Sequence, residues 1–185
     1  MRRFFIFMIP LFTLFFNCSQ GNYGNFLVSF NDYNSGVIFE GVDADAHTET
    51  LYIPETVYGI PVVGIKKLEW PSKEIYAKTV VLSKFITSIG KYSFSSRYYP
   101  SLKIIIIKGV IEDLDAKAFY EFDVSYTIVL LSTTPPKVSE IERANYQSLK
   151  FYVPDESVDK YKKATGWSKF ASSIYPLSEY PGTLP

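Results

Sequence analysis

One cysteine and one histidine in 185 residues leave little from which to build reactive chemistry. The cysteine is Cys18, so no disulfide can close within the chain and no thiolate cluster can hold a metal. The histidine is His47, and a zinc site, a Ser-His-Asp triad or a Cys-His dyad would each need that single imidazole. Neither sign of charge is in excess: Lys plus Arg number 19, as do Asp plus Glu. Removing Arg2 and Arg3 with a leader takes the basic count from 19 to 17, still close to neutrality. A nucleic-acid binder shows a basic excess or stripe to meet phosphate, and neither is present. No apolar run reaches the ~20 residues that a spanning helix requires. The absences argue against a hydrolase, against nucleic acid and against a chain that crosses the membrane; no enzyme activity and no cofactor are expected.

Aromatic residues are abundant instead. Fifteen Tyr and 15 Phe bring the aromatic share to 17%, more than packing a mixed α/β domain usually takes. The chain is long enough for one domain with a real core.

The amino terminus has the shape of an export signal. Met1-Arg-Arg3 is positive, and Phe4 to Phe16 is an uncharged run of 13 residues, short for a span and right for a signal-peptide core. It ends in Leu14-Phe-Phe-Asn17-Cys18-Ser-Gln-Gly21. An apolar run stopping at a lone cysteine, with small polar residues after it, resembles a lipobox. The resemblance implies cleavage before Cys18, a lipid on its thiol and membrane attachment. Phe15 and Asn17 depart from the strict pattern of Leu and Gly or Ala, in the manner of the looser lipoboxes of spirochaetes. An ordinary secretory leader with an unrelated cysteine is the alternative, although it leaves an exported thiol unpaired. Residues 1–17 are thus read as a lipoprotein signal peptide and 18–25 as a flexible tether.

The mature part repeats itself at 25 residues. Leu82, Phe85, Ile86, Ile89 and Phe94 recur as Ile107, Val110, Ile111, Leu114 and Phe119, and Ile65 and Trp70 mark a degenerate earlier copy. Apolar residues at such a period predict stacked coils, none of which can bury its apolar side alone. The strand of each coil is visible at Leu51–Ile53, Val80–Leu82, Ile105–Ile107, within Ile128–Leu131, and at Phe151–Val153, about 23 to 29 residues apart. Tyr58–Val62 reads as an insertion that lengthens the first interval. Before the coils, Phe26–Phe30 and Val37–Glu40 flank a turn-rich segment and predict a hairpin over the open end of the first coil. After them, Asp155–Thr165 predicts a helix with Asp155 or Ser157 as N-cap, acids first, lysines last and Gly166 as its stop. Residues 178–185 read as an untethered tail.

Ile53-Pro-Glu-Thr-Val-Tyr-Gly-Ile-Pro-Val-Val-Gly-Ile65, Ile86-Thr-Ser-Ile-Gly-Lys-Tyr-Ser-Phe94 and Asp115-Ala-Lys-Ala-Phe119 resemble the BspA-like (treponemal-type) class of bacterial leucine-rich repeats. Thr134–Val138, Phe151–Tyr161 and Gly166–Phe170 resemble the terminal cap of such proteins. Leu68-Glu-Trp70 replaces the usual Ala-Phe, and Ser139–Leu149 lacks the Ile-Gly signature. The resemblance implies an α/β repeat fold: a short leucine-rich-repeat solenoid with a parallel sheet, a hairpin cap over 26–50, coils over 51–153 and a helical cap with tail over 154–185. It also implies a cell-envelope protein, anchored at the outer membrane surface, that mediates protein–protein interaction or adhesion. The expected partners are host matrix proteins or bacterial surface proteins. A periplasmic scaffold lipoprotein without a host role is the second reading.

Other clusters weigh less. Asp43, Asp45 and His47 alternate and would share one face of a strand, a set able to ligate a divalent cation, but spacing alone is weak evidence and a solvated loop joining the hairpin to the first coil is the preferred reading. Glu112, Asp113 and Asp115 read as a solvated turn, since Thr87, Ser88 and Gly90 replace them one coil earlier. Lys160, Lys162 and Lys163 complement the helix dipole. The sheet face is more informative. If Leu51, Ile53, Val80, Leu82, Ile105 and Ile107 point inward, alternation turns Tyr52, Val81, Ile106 and Tyr152 outward. These four are the predicted protein-binding face, an accessible aromatic and aliphatic column, with cover by an insertion or a shift of register as the alternative of equal weight.

Overall fold

A computed structural model of the chain describes residues 26–30, 35–42, 46–66, 74–119, 125–138, 141 and 149–185. Strands dominate it. In chain order they are β1 (Phe26–Phe30), β2 (Val37–Val42), β3 (Ala46–His47), β4 (Thr50–Tyr52), β5 (Thr56–Val57), β6 (Ile60–Ile65) and β7 (Ile75–Tyr76). There follow β8 (Thr79–Leu82), β9 (Ser88–Ile89), β10 (Ile104–Ile107), β11 (Asp113–Leu114), β12 (Tyr126–Leu130), β13 (Leu149–Val153) and β14 (Ile174–Pro176). A single α-helix, α1 (Val158–Lys163), occurs among the described residues.

Two six-stranded sheets organise these pieces. The first is mixed and runs β1-β2-β6-β9-β11, with β5 antiparallel on β6. The second runs β14-β13-β12-β10-β8-β4 and is parallel throughout. Pairing follows the repeat: Val80 lies beside Ile105, 25 residues on, and Ser88 beside Asp113 at the same interval. Hydrogen bonds just past the strand ends of the first sheet keep the register as well. Gly90 N–H donates to Ile65 O (2.8 Å), and Asp115 N–H donates to Ile89 O (2.9 Å), again one repeat later. The two β-rich runs at the start pair antiparallel as β1 and β2 at the edge of the first sheet.

Alternation explains the core. Phe39, Ile65, Ile89 and Leu114 of the first sheet join Leu51, Val80, Leu82, Ile105, Ile107, Ile128 and Phe151 of the second in one buried cluster. Phe94 and Phe119, equivalent across one repeat, stack nearly parallel at 6.0 Å and are both buried. Their partners in the repeat behave otherwise: Phe85 is 38% and Val110 51% exposed, although both were expected to help stack the coils. The reason is local. Ile86 and Ile111, next in sequence, take the inward direction at each turn and leave the preceding residue to solvent.

Tyr58–Val62 lies where this coil is longer than the next, since Tyr52 pairs with Val81 but Ile65 with Ile89, and the structure builds the extra residues into a β5–β6 hairpin. Tyr58 (φ 51°) and Gly59 (φ 77°) make the left-handed turn between β5 and β6, and Ile60 to Val62 begin a strand of the first sheet. Gly109 marks a close crossing of successive turns, because a Cβ there would lie 2.5 Å from Ile86 O and 2.8 Å from Lys84 O. Both obstacles are backbone. Gly109→Ala should therefore destabilise the fold by ~1–3 kcal/mol, the usual range for overpacking; a denaturation midpoint equal to wild type would contradict the crossing.

The carboxy-terminal region departs from expectation in two ways. The predicted helix divides into a 3-10 turn (Asp155–Ser157) and α1, and neither Asp155 nor Ser157 caps it with a side-chain bond. Ser157 Oγ donates back to Pro154 O (2.7 Å), and the Asp155 carboxylate serves another segment, described below. Beyond α1 the chain adds β14 to the edge of the second sheet. Trp167 is fully buried, with its Nε1–H donating to Pro136 O (2.9 Å), and Gly166 precedes it at φ 78°. The Tyr161 hydroxyl donates to Ser132 O (2.9 Å), and its burial pushes its pKa up.

Candidate interaction face

Parallel pairing brings six outward residues of the second sheet into one row. Tyr52 lies beside Val81, Val81 beside Ile106, Ile106 beside Val129, Val129 beside Tyr152, and Tyr152 beside Tyr175. The direction follows from strand alternation, because the first five of these residues sit between two neighbours in the main core and Tyr175 follows one, Ile174. Strands ≈ 4.8 Å apart make such a row roughly 24 Å long. It has aromatic ends and an aliphatic centre. A parallel row of threonines and mixed residues runs beside it: Thr50, Thr79, Ile104, Thr127 and Lys150.

The row forms, but it is not accessible. Val81 is 3%, Ile106 2%, Val129 0% and Tyr152 6% exposed, and the four make a hydrophobic cluster of their own, apart from the main core. Tyr52 is half-buried. The expectation that Tyr52, Val81, Ile106 and Tyr152 present an open face is therefore corrected. Physically, an apolar strip of this length left in water would forgo ~25 cal/mol for each Å² that could be covered, and the chain covers it. Among the described residues, Tyr175, Leu177 and Tyr180 pack against the cluster beside Ile104, Leu131 and Tyr52. The Tyr152 ring meets that of Tyr180 at 5.2 Å, edge to face, and that of Tyr175 at 5.7 Å.

The first part of the expected tail, residues 178–180, is accordingly tethered, while 181–185 are exposed. Leu177–Glu179 forms a 3-10 turn, closed by Tyr180 N–H to Leu177 O (3.0 Å). Ser178 N–H donates to Asp155 Oδ1 (3.0 Å). The side chain and backbone of Ser178 hold the Asp155 carboxyl below the ordinary carboxylate range. A lowered pKa means that this contact is complete above the ordinary carboxylate pKa and is lost as pH falls through the shifted value. Burial and the neighbouring Tyr152 raise the pKa of the Tyr180 hydroxyl.

Val129 and Tyr175 belong to the row and were not foreseen. Val129 was within reach, since it alternates with Ile128 and Leu130, but its strand boundaries were blurred by a continuous apolar run. Tyr175 lies after the cap, where no repeat signal survives.

The other candidate clusters stay apart. Cys18, Asp43 and Asp45 lie outside the described residues. His47 is exposed and stacks on Tyr76 at 4.6 Å with the rings 5° from parallel, and the Tyr76 hydroxyl donates to Glu74. Among the described residues no three His, Cys, Asp or Glu side chains converge as metal ligands would. Asp115 Oδ1 accepts from Lys117 N–H (2.7 Å) within its own turn, while Glu112 and Asp113 face solvent. Lys160 Nζ reaches Thr134 Oγ1 (3.4 Å), and Lys162 and Lys163 lie with it in the last turn of α1. A cavity of about 10 Å³ beside Phe39, Ile65, Ile75, Tyr92, Ser93 and Tyr99 has room for one water and none for a metabolite. No described helix is long and apolar enough to cross a membrane.

The chain matches no protein-family profile and no curated protein sequence.

Proposed function

We propose that this chain is a lipid-anchored protein of the cell envelope whose stacked strands form a short leucine-rich-repeat solenoid used for protein–protein interaction, including adhesion to host or partner-cell proteins. The observation that carries the reading is the six-strand parallel sheet whose equivalent residues pair at the repeat interval and align an apolar, aromatic row on its outer side. Stacked repeats offer extended surfaces rather than closed pockets. The anchor is Cys18, at which the leader stops. Its absence of a second cysteine partner fits a thiol consumed by a lipid.

Two results test this. Cys18→Ser should move the protein from the detergent phase of a cell extract to the aqueous phase, and a mutant that still partitions into detergent would remove the anchor from Cys18. On intact cells, added protease should degrade the wild-type protein. Protection until the envelope is opened would favour the periplasmic scaffold instead.

A further inference from the structure

We propose that Leu177–Tyr180 is a strap seated on a docking strip of the second sheet, and that the strip takes a protein segment whose short 3-10 turn presents an aliphatic and an aromatic residue three positions apart once the strap lifts. The proposal deepens the interaction reading above and rests on it.

Three observations point to a strap rather than to a part of the core. The strip is a cluster distinct from the main core, so lifting its cover leaves the packing between the sheets in place. The cover is lightly held: beyond the end of β14 it makes one 3-10 turn, and its backbone bond to Asp155 ends on a carboxylate in solvent. After Tyr180 the remaining residues are all exposed. Segments with few buried contacts and solvent-side hydrogen bonds open well before the fold does.

The seating also identifies the occupant. Leu177 and Tyr180 are what the strip now holds, and Tyr180 lies edge to face on Tyr152. Gly182 brings the backbone against the Tyr180 ring, where an added Cβ would come to 2.6 Å from Tyr180 Cζ and Oη. A partner must reproduce this arrangement: an aliphatic side chain and, three positions on, an aromatic one, brought to the same side by a 3-10 turn. A tethered segment acts at an effective concentration on the order of millimolar, so a free segment competes only after the strap is weakened.

The test uses the full mature chain with Cys18→Ser and Val129→Cys, which makes the introduced thiol the sole reporter of the strip. Labelling by a small thiol reagent should be slow in this background. Adding Tyr180→Ala should speed it by on the order of tenfold, as expected for a locally opened segment. The near-ultraviolet signal and the cooperativity of melting should stay as they were. A synthetic peptide with the sequence of residues 174–185 should then restore protection, and the same peptide bearing the Tyr180→Ala change should not. Asp155→Asn, which weakens the other end of the strap, should act in the same direction.

Labelling unchanged by Tyr180→Ala would show that the strap does not cover the strip. Faster labelling that the peptide fails to slow would remove the docking role. Loss of cooperative melting in both variants would make the segment part of the core. None of these readouts needs a cell or a natural partner, so they stand or fall separately from the anchoring and protease experiments.

Discussion

Phe119→Ala is expected to cost the fold ~3–5 kcal/mol, the range for emptying a buried aromatic site. Phe119 and Phe94 occupy the same place in successive repeats, and their rings stack 11° from parallel at 6.0 Å, with Tyr99 tilted against Phe94 at 5.9 Å. Removing one ring leaves its neighbour facing a void that backbone held by ladders on both sides cannot close. The effect should propagate along the stack. Phe94→Ala should lose a similar amount, and the double mutant less than the sum, with a coupling of ~0.5–1.5 kcal/mol from the lost ring pair. Chemical denaturation of the four proteins measures this. Additive losses would mean that the rings share a cluster without acting on each other, and a loss below about 1 kcal/mol for either single mutant would contradict the register of the repeat.

The stack was legible because periodicity reports what repeats. Leu82, Ile89 and Phe94 recur one repeat later at Ile107, Leu114 and Phe119, and all six are buried. Outward residues were legible too, since alternation alone assigns Val81 and Ile106 their direction. What alternation cannot give is the fate of that side. The cover over Tyr152 comes from Leu177 and Tyr180, more than 20 residues further on, in a segment whose Ser, Pro and Gly read as a loop end. Its hold is tertiary: a carboxylate expected to cap a helix instead accepts from Ser178. Asp155 shows the ambiguity well, because the same residue type in the same place suits a cap or a tether, and only the position of a distant backbone N–H decides. Phe85 and Val110 illustrate the opposite error. Both recur at the period, yet repetition marks equivalence and not burial.

The polar side of that carboxy-terminal packing gives the second large effect. Trp167 is completely buried, edge to face with Phe151 at 5.3 Å and with Tyr161 at 5.3 Å, while Phe170 approaches Phe151 from another side at 5.2 Å. Phe151 is itself the core-facing residue of β13, so the indole joins the cap to the last inner strands of the sheet. Its Nε1–H also gives Pro136 O a donor in a dry setting. Trp167→Ala should therefore cost ~3–5 kcal/mol through cavity formation. Trp167→Phe separates the two contributions: most of the ring contact survives, but the Pro136 carbonyl loses its partner, for a loss of ~1–3 kcal/mol. The losses should rank Ala above Phe above wild type, read from denaturant midpoints at constant slope. Since Gly166 at φ 78° sets the entry of Trp167, with a Cβ only 2.5 Å from Val138 O, Gly166→Ala should fall between them. A Phe variant as stable as wild type would show that the Pro136 carbonyl finds water on losing the indole, and that packing alone fastens this end of the fold.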